Sequence, residues 1–339
     1  MNDHFSQKAL RCPICELGEV NRIIEILQVP VHCNVLHSTR EEALATPRGD
    51  ITLDLCPNCG HVFNSAYEPE LTNYFLEYEN SLQHSPRFQS YALSLARNLV
   101  TDYDLHNRDI VEIGSGNGHF LKLLCELGNN RGIGFDPSSS VSLAPIGADA
   151  YGKISFINDL YSEKYASTKA DFICCRHVLE HIQRPMDFIL MVRAAIGNRR
   201  ETITMFEVPD APFIFHQRSI WDIIYEHCSY FCSASLKHLF EKCGFEVLRI
   251  ANGFDGQFLR VEARPCTNNL TISSLKSEIV TRMTEDGESF KQAFGSRINS
   301  WREALEQFKR SSSKIAIWGA GSKGVTFLNL LDTQSIVEF

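Results

Sequence analysis

A strand, a glycine loop and a helix follow one another directly in residues 109–128, and this order constrains the fold more than any other feature of the sequence. The stretch DIVEIGSGNG precedes the helical pattern HFLKLLCELG. Further strands are predicted near 131–136, 154–159, 170–177 and 201–207, with helical segments between them. Because strands that alternate with helices form parallel sheets covered on both faces, we expect an α/β fold.

The glycine loop predicts a ligand at the carboxyl ends of these strands. Gly114 and Gly116 belong to the pattern GxGxG, which differs from the dinucleotide pattern GxGxxG. Glu112, just before the loop, would repel a pyrophosphate but suits a cationic amine. Asp136 ends the next strand, where a carboxylate can accept both ribose hydroxyls, and Asp159 ends the third strand, near the place of an adenine. Together these residues favour S-adenosylmethionine over NAD.

Two Cys-x-x-Cys pairs, Cys12 with Cys15 and Cys56 with Cys59, stand 40 residues apart. Twelve cysteines in a chain of 339 residues argue against a disulfide framework if the protein is cytosolic, because that compartment keeps thiols reduced. Two such pairs complete a tetrahedral sulfur site suited to structural zinc. We therefore predict a small zinc-binding, β-rich module, with four unrelated buried cysteines as the alternative.

Composition favours a small-molecule substrate. The chain has 41 acidic and 33 basic residues and no dense basic run, so the charge pattern of a nucleic-acid or anionic-membrane binder is missing. The first ten residues lack the apolar core of a signal peptide, and no apolar run reaches about 18 residues. We expect a cytoplasmic protein that binds neither nucleic acid nor membrane.

Four segments are expected along the chain. Residues 1–70 form the zinc-binding domain, 71–268 the α/β core with a helical lead-in, and 269–313 a helical connector. Residues 314–339 begin a second strand, glycine loop and helix, whose loop Gly319–Gly324 fits GxGxxG but lacks a downstream acid. We interpret it as a mainly structural Rossmann-like unit, with a second nucleotide site as the alternative. The sequence ends too soon to complete that unit, which favours a truncated chain.

Several motifs, in this order, resemble those of the sugar C-methyltransferases of deoxysugar biosynthesis. They are CPIC with CPNCGH, VEIGSGNG, VLEHI, EVPD, EHCSYF, GQFLR and WGAGSKG. The resemblance covers nearly the whole chain. It implies a zinc-binding N-terminal domain, a class I S-adenosylmethionine-dependent methyltransferase core with a Rossmann-like sheet, and a C-terminal Rossmann-like domain. It also implies methylation of a carbon next to a keto group of a nucleotide-linked sugar.

The resemblance makes His227 of the EHCSYF motif the catalytic base, which would form an enolate that other groups stabilise. Glu226, His181 and Tyr78 are the other catalytic candidates, although His181 and Tyr78 could instead be core residues. The candidate cofactor-binding residues are Glu112, Gly114, Gly116, Asp136, Asp159 and His177, the last through its backbone.

The sequence departs from the family pattern on the substrate side. Ile224 stands where the family usually has a tyrosine, and Tyr225 is shifted by one place, which on a strand sends the phenol to the opposite face. An O- or N-methyltransferase of another small metabolite is therefore an alternative function, and a noncatalytic protein that recruits partners is another. A metal held by His227 with Cys228 and Cys232 is also conceivable, but no second ligand pair is evident.

Overall fold

Two β-sheets organise the computed structural model, which describes residues 10–72, 84–138, 153–266, 277–311, 313–319 and 321–331. In chain order the elements are β1 (Asn21–Pro30), α1 (Arg40–Leu44), β2 (Arg48–Leu55), β3 (Val62–Asn64), α2 (Pro86–Asp102), β4 (Asp109–Ile113), α3 (His119–Gly128), β5 (Arg131–Phe135), β6 (Ile154–Ile157), β7 (Phe172–Arg176), α4 (Pro185–Ile196), β8 (Ile203–Pro209), α5 (Ala211–His216), β9 (Ser229–Tyr230), α6 (Ser233–Lys242), β10 (Phe245–Gly253), β11 (Phe258–Pro265), α7 (Glu278–Arg310) and α8 (Ser322–Leu331).

The larger sheet has seven strands in the order β10-β11-β8-β7-β4-β5-β6. Strands β4 to β8 are parallel, which confirms the α/β core predicted from the alternation of strands and helices. Strands β10 and β11 extend this sheet as an antiparallel pair. They are joined by the short turn at residues 254–256, and a parallel connection needs a crossover of a dozen or more residues.

Local sequence signals explain where the core helices begin and end. Ser85 accepts a hydrogen bond from the backbone N of Phe88 and stands before Pro86, so that a cap and a first-turn proline start α2. Asp210 caps α5 in the same way, through the backbone N of Phe213. Helix α3 ends at Asn129, which adopts the left-handed conformation that closes many helices.

The smaller sheet has the order β1-β2-β3-β9 and is antiparallel, as expected for a β-rich N-terminal module. Its fourth strand comes from the core, because Val62 pairs with Tyr230 and Phe63 with Ser229. Asp210, at the end of β8, also forms a bridge to Phe231. The two sheets are therefore connected through residues 229–231.

The segments after the core are helical. Helix α7 is 33 residues long, begins at the Ser277 cap, and stacks Phe290 on Phe215 with ring centroids 4.8 Å apart. Helix α8 begins at Ser322, within the second glycine motif. The strand predicted at 314–318 is not observed, and Trp318 is fully exposed. A strand needs a hydrogen-bonded neighbour, and none of the described strands pairs with this segment. None of the described helices is long and apolar enough to span a bilayer.

Strand β2 contacts the core through Gly49. The ring of Tyr225 lies so close that a Cβ at residue 49 would overlap its Cε2 atom. Tyr225 is fully buried and its hydroxyl accepts a hydrogen bond of 2.9 Å from the backbone N of Glu68. The ring is thus held on both sides and cannot move aside without losing that bond.

We expect Gly49→Ala to lower the free energy of unfolding by about 1–3 kcal/mol, because the added methyl group overpacks the contact with Tyr225. Urea denaturation followed by circular dichroism measures the change. The control is Gly295→Ala on α7, where a Cβ meets no atom within 4 Å and alanine favours the helix. Equal stability of the two variants would contradict the prediction.

Candidate active site

A cavity of about 930 Å³ opens beyond the carboxyl ends of β4, β5, β7 and β8. This is the usual ligand position in open α/β sheets. Eight of the predicted site residues lie in its wall, namely Glu112, Gly114, Gly116, Asp136, Asp159, His177, His181 and His227. Glu226 is described by the structure but does not line the cavity, whereas Tyr78 lies outside the described residues.

The first glycine loop presents bare backbone to the cavity. Gly114, Gly116 and Gly118 all have positive φ, at 72°, 49° and 71°. A Cβ at Gly114 would collide with Val178 and one at Gly118 with Phe156, whereas one at Gly116 would meet nothing. The outer glycines are therefore required for packing, and Gly116 is required for its conformation and for close approach of a ligand.

Glu112 has a structural contact as well as a place in the cavity wall. Its Oε2 atom accepts a hydrogen bond of 3.0 Å from the backbone N of Leu121, in the first turn of α3. Burial raises the pKa of Glu112 to about 8, an effect that the nearby Arg176 partly offsets. A cation bound beside this carboxyl group would favour its charged form and lower that pKa.

The two aspartates at the strand ends are held by local hydrogen bonds. Asp136 accepts one bond of 2.7 Å from the backbone N of Gly116 and others of 2.8 and 2.6 Å from the backbone N and Oγ of Ser138. Asp159 accepts a bond of 2.6 Å from the hydroxyl of Tyr165 and pairs with Lys164, the larger cause of its lowered pKa. Both carboxylates are thereby fixed at the cavity edge.

A buried charge network lies behind the cavity. Arg176 donates from Nε and Nη2 to Oε1 of Glu207, at 2.9 and 2.7 Å, while Tyr91 donates to Oε2. Nε2 of His177 lies 3.3 Å from the same Oε1, and His177 itself has a left-handed φ of 56°. Burial alone would raise the pKa of Glu207, but Arg176 and His177 hold it well below its usual range. Glu207 thus stays charged and fixes His177.

Three hydrogen bonds join the turn after β7 to the segment before β9. Nδ1 of His181 contacts the carbonyl of Glu226 at 2.9 Å, Cys228 donates to the carbonyl of Glu180 at 3.6 Å, and Ser229 donates to the carbonyl of Ile182 at 3.1 Å. The two segments therefore keep a fixed relative position. His181 and His227 face each other across this contact, with ring centroids 4.9 Å apart.

His227 is the titratable group best suited to accept a proton. Burial, and next the neighbouring His181, lower its pKa to about 4, so its ring is neutral at pH 7. Its Nδ1 atom is buried and has no hydrogen-bond partner among the described residues. One ring nitrogen of each histidine and a carboxylate oxygen of Glu180 lie within 4.8 Å of one another.

The residues flanking His227 point in different directions. Ile224 lines the cavity, whereas Tyr225 packs against the N-terminal sheet, so the one-place shift noted in the sequence moves the phenol away from the cavity. Oε2 of Glu226 accepts a hydrogen bond of 3.1 Å from the backbone N of Cys33. The structure therefore gives Glu226 a contact with the N-terminal module instead of a place beside a ligand.

The four predicted metal ligands form one cluster. The Sγ atoms of Cys12 and Cys59 are 3.6 Å apart, those of Cys15 and Cys56 are 3.4 Å apart, and all four lie within 4.8 Å of one another. Sulfur atoms bound tetrahedrally at about 2.3 Å from zinc would be separated by about 3.8 Å. The cluster has the size and donor set of a closed metal site.

Sequence reasoning missed one polar pair in the cavity wall. Nζ of Lys323, from the second glycine loop, lies 2.9 Å from Oδ1 of Asp222, and both residues line the cavity. The GAGSKG motif was recognisable in the sequence. Its closeness to the first glycine loop, about 200 residues earlier, depends on tertiary packing that no local pattern reveals.

Comparison with known proteins supports this view of the core. Residues 83–250 match a family model described as a methyltransferase domain. No curated protein sequence gave a match.

Solved structures with a similar chain path include other methyltransferases. A 1,6-didemethyltoxoflavin-N1-methyltransferase from Burkholderia thailandensis is 14% identical, with a TM-score of 0.41 over 54% of this chain and 82% of that one. Magnesium protoporphyrin IX methyltransferase from Synechocystis PCC 6803 is 15% identical, with a TM-score of 0.41 over 53% and 84%. These likenesses are too distant to indicate a substrate.

The family match covers the glycine loop, the strand-end aspartates, His181 and His227. It agrees with the expectation drawn from GxGxG, which favoured a sulfonium cofactor over a dinucleotide. Residues 83–250 therefore carry a methyltransferase domain.

Proposed function

We propose that the protein methylates a carbon next to a keto group of a nucleotide-linked deoxysugar, through an enolate, with His227 as the base. The observation that carries this proposal is an uncharged, half-buried imidazole in the wall of the cavity that also contains the glycine loop. A neutral imidazole can accept a proton from a carbon acid, which a protonated one cannot do. The motif resemblance supplies the substrate class.

The cofactor side of the cavity consists of Glu112, Gly114, Gly116, Asp136, Asp159 and His177. When bound, S-adenosylmethionine supplies an electrophilic methyl group. Asp136 offers carboxylate oxygens to the ribose hydroxyls, and Gly116 lets the ligand approach the backbone. Glu112 supplies negative charge near the cationic part of the ligand, and the backbone of His177 closes that side of the cavity.

On the substrate side, His227 removes the proton from the carbon and the electron pair moves to the keto oxygen. His181 lies beside it and donates Nδ1–H to the backbone carbonyl of Glu226, so that Nε2 of the neutral ring can accept a hydrogen bond from a substrate hydroxyl. Tyr78 remains a proposed substrate contact. Glu226 acts on the reaction only indirectly, because its carboxylate contacts the backbone of Cys33.

A second candidate is methylation of an oxygen or nitrogen of another small metabolite. It is favoured by Ile224, which puts an aliphatic side chain in the cavity where the sugar-modifying family usually has a phenol. His227 would then deprotonate a hydroxyl or an amine. The solvent exchange experiment below separates the two candidates.

We also propose that Cys12, Cys15, Cys56 and Cys59 bind a structural zinc ion. The sulfur separations and the all-thiolate donor set support zinc, and a closed site assigns the ion a role in folding. We propose the same four segments as above: a zinc-binding domain in residues 1–70, the methyltransferase core in 71–268, a connector in 269–313 and the start of a Rossmann-like unit in 314–339. We also propose that the protein is cytoplasmic.

We expect Asp136→Ala to weaken binding of S-adenosylmethionine about 10- to 100-fold, because a charged hydrogen-bond acceptor is lost together with its support of Gly116. Isothermal titration calorimetry measures the dissociation constant. Asp104→Ala, an exposed aspartate remote from the cavity, is the control and should bind normally. Unchanged affinity in Asp136→Ala would contradict the proposed ribose contact.

We expect the enzyme in D₂O, without cofactor, to exchange the α-carbon protons of thymidine diphosphate 4-keto-6-deoxyglucose, and His227→Ala to reduce this rate at least about 100-fold. Because the pKa of His227 is about 4, this group should impose no loss of rate at neutral pH. Proton NMR follows the exchange, and His216→Ala, at an exposed histidine, is the control. Methylation of a hydroxyl without carbon exchange would establish the second candidate instead.

We expect one equivalent of zinc in the purified protein by elemental analysis, and its loss in Cys56→Ser. The loss should lower the melting temperature by about 10 °C or more, because metal-binding energy contributes to folding. Cys266→Ser, outside the cluster, should keep both the zinc and the stability. A fully stable protein without stoichiometric metal would contradict the zinc proposal.

A further inference from the structure

Glu180 lies in the short helix Leu179–His181 that follows β7, and it is 2% exposed. A buried carboxylate is costly unless other groups compensate its charge. Its neighbours are the three histidines at 177, 181 and 227. Although burial alone would raise the pKa of Glu180, these histidines lower it, with His177 the strongest contributor.

One oxygen of Glu180 contacts His177, which belongs to the buried charge network. Oε1 lies 3.7 Å from Nδ1 of His177, whose other ring nitrogen contacts Glu207, which in turn binds Arg176. His177 has a left-handed backbone, a conformation that persists only where the surroundings enforce it. This chain of contacts limits the positions that the Glu180 carboxylate can take.

The second oxygen of Glu180 is not held in this way. Oε2 is buried and has no hydrogen-bond partner among the described residues, and the same is true of Nδ1 of His227. An unsatisfied buried polar atom costs about 1–3 kcal/mol, so both atoms gain from a mutual hydrogen bond. One carboxylate oxygen of Glu180 and one ring nitrogen of His227 lie within 4.8 Å of each other, and catalytic hydrogen bonds often tighten only when substrate binds.

Glu226, the neighbour of His227 in sequence, is not equivalent. Its Oε2 accepts from the backbone N of Cys33, and its Oε1 lies 3.8 Å from Nδ1 of His32. Both contacts are with the N-terminal module. Of Glu180 and Glu226, only Glu180 belongs to the compact cluster with His181 and His227.

We propose that Glu180 is the positioning residue for His227: it accepts a hydrogen bond from Nδ1–H and so leaves Nε2 unprotonated for the substrate. This inference rests on the proposed function, in which His227 is the base. Proton removal breaks the substrate C–H bond, forms Nε2–H and sends the electron pair to the keto oxygen. The resulting imidazolium lies next to the Glu180 carboxylate, which stabilises its charge.

Other charged or titratable groups also act on His227. His181 disfavours its protonated form, while Glu226 and Asp222 favour it less strongly than Glu180 does. The thiol of Cys228, whose pKa burial raises to about 12, stays neutral and donates to the carbonyl of Glu180. These groups change the charge of the site, whereas a hydrogen bond donated by Nδ1–H to Glu180 selects the tautomer of the ring.

Histidine tautomers of the full-length, ¹⁵N-histidine-labelled protein test the inference without any substrate. Long-range ¹H–¹⁵N spectra at pH 7.5 distinguish protonated from bare ring nitrogens, and comparison with His227→Ala assigns the signals of His227. We expect the wild type to carry its proton on Nδ1. Glu180→Gln should give a mixture of tautomers, and the matched variant Glu226→Gln should keep the wild-type tautomer.

A wild-type proton on Nε2 would overturn the inference without any need for a variant. Equal spectra for Glu180→Gln and Glu226→Gln would overturn it as well. In the deuterium exchange assay, we expect Glu180→Gln to slow exchange about 10- to 100-fold with unchanged S-adenosylmethionine affinity, and Glu180→Asp to recover part of the rate. Carbon exchange that survives in His227→Ala would instead contradict the proposed function, in which His227 is the base. The tautomer measurement uses no substrate, so it tests the role of Glu180 separately.

Discussion

The pairing of β3 with β9 is the contact on which the cavity depends. It ties the segment that carries His227 to the N-terminal sheet, while three hydrogen bonds tie the same segment to the turn after β7. The imidazole is thus held from two sides by different parts of the chain. The four-cysteine cluster belongs to the module that provides one of these supports, and it lies outside the cavity wall.

Behind the cavity, one strand end collects several buried charges. Arg176 and Glu207 form an ion pair in which both side chains are nearly inaccessible, and such pairs require further hydrogen bonds to offset desolvation. Tyr91 provides one, and the ring of His177 lies 3.3 Å from the same carboxylate. The network therefore couples helix α2, strand β8 and the turn that carries His181, three elements distant in sequence.

Periodicity and spacing were enough to predict the α/β core, the glycine loop and the four-cysteine cluster, because those signals are local. The antiparallel direction of β10 and β11 lay beyond this reasoning, since alternation alone does not specify strand direction. Glu226 was a catalytic candidate through its motif, yet it lies in the turn at residues 225–226 and its carboxylate contacts Cys33. Glu180 carried no such signal, because its relation to His227 depends on how two remote turns pack.

The contact between Gly49 and Tyr225 extends the influence of the cavity to a strand that contributes nothing to its wall. Tyr225 is two residues from His227, so a change in volume at residue 49 would be transmitted to the proposed base. Natural variation at these two positions should accordingly be correlated, with larger side chains at 49 accompanied by smaller ones at 225. Selection for catalytic turnover would then act on residue 49, which does not line the cavity.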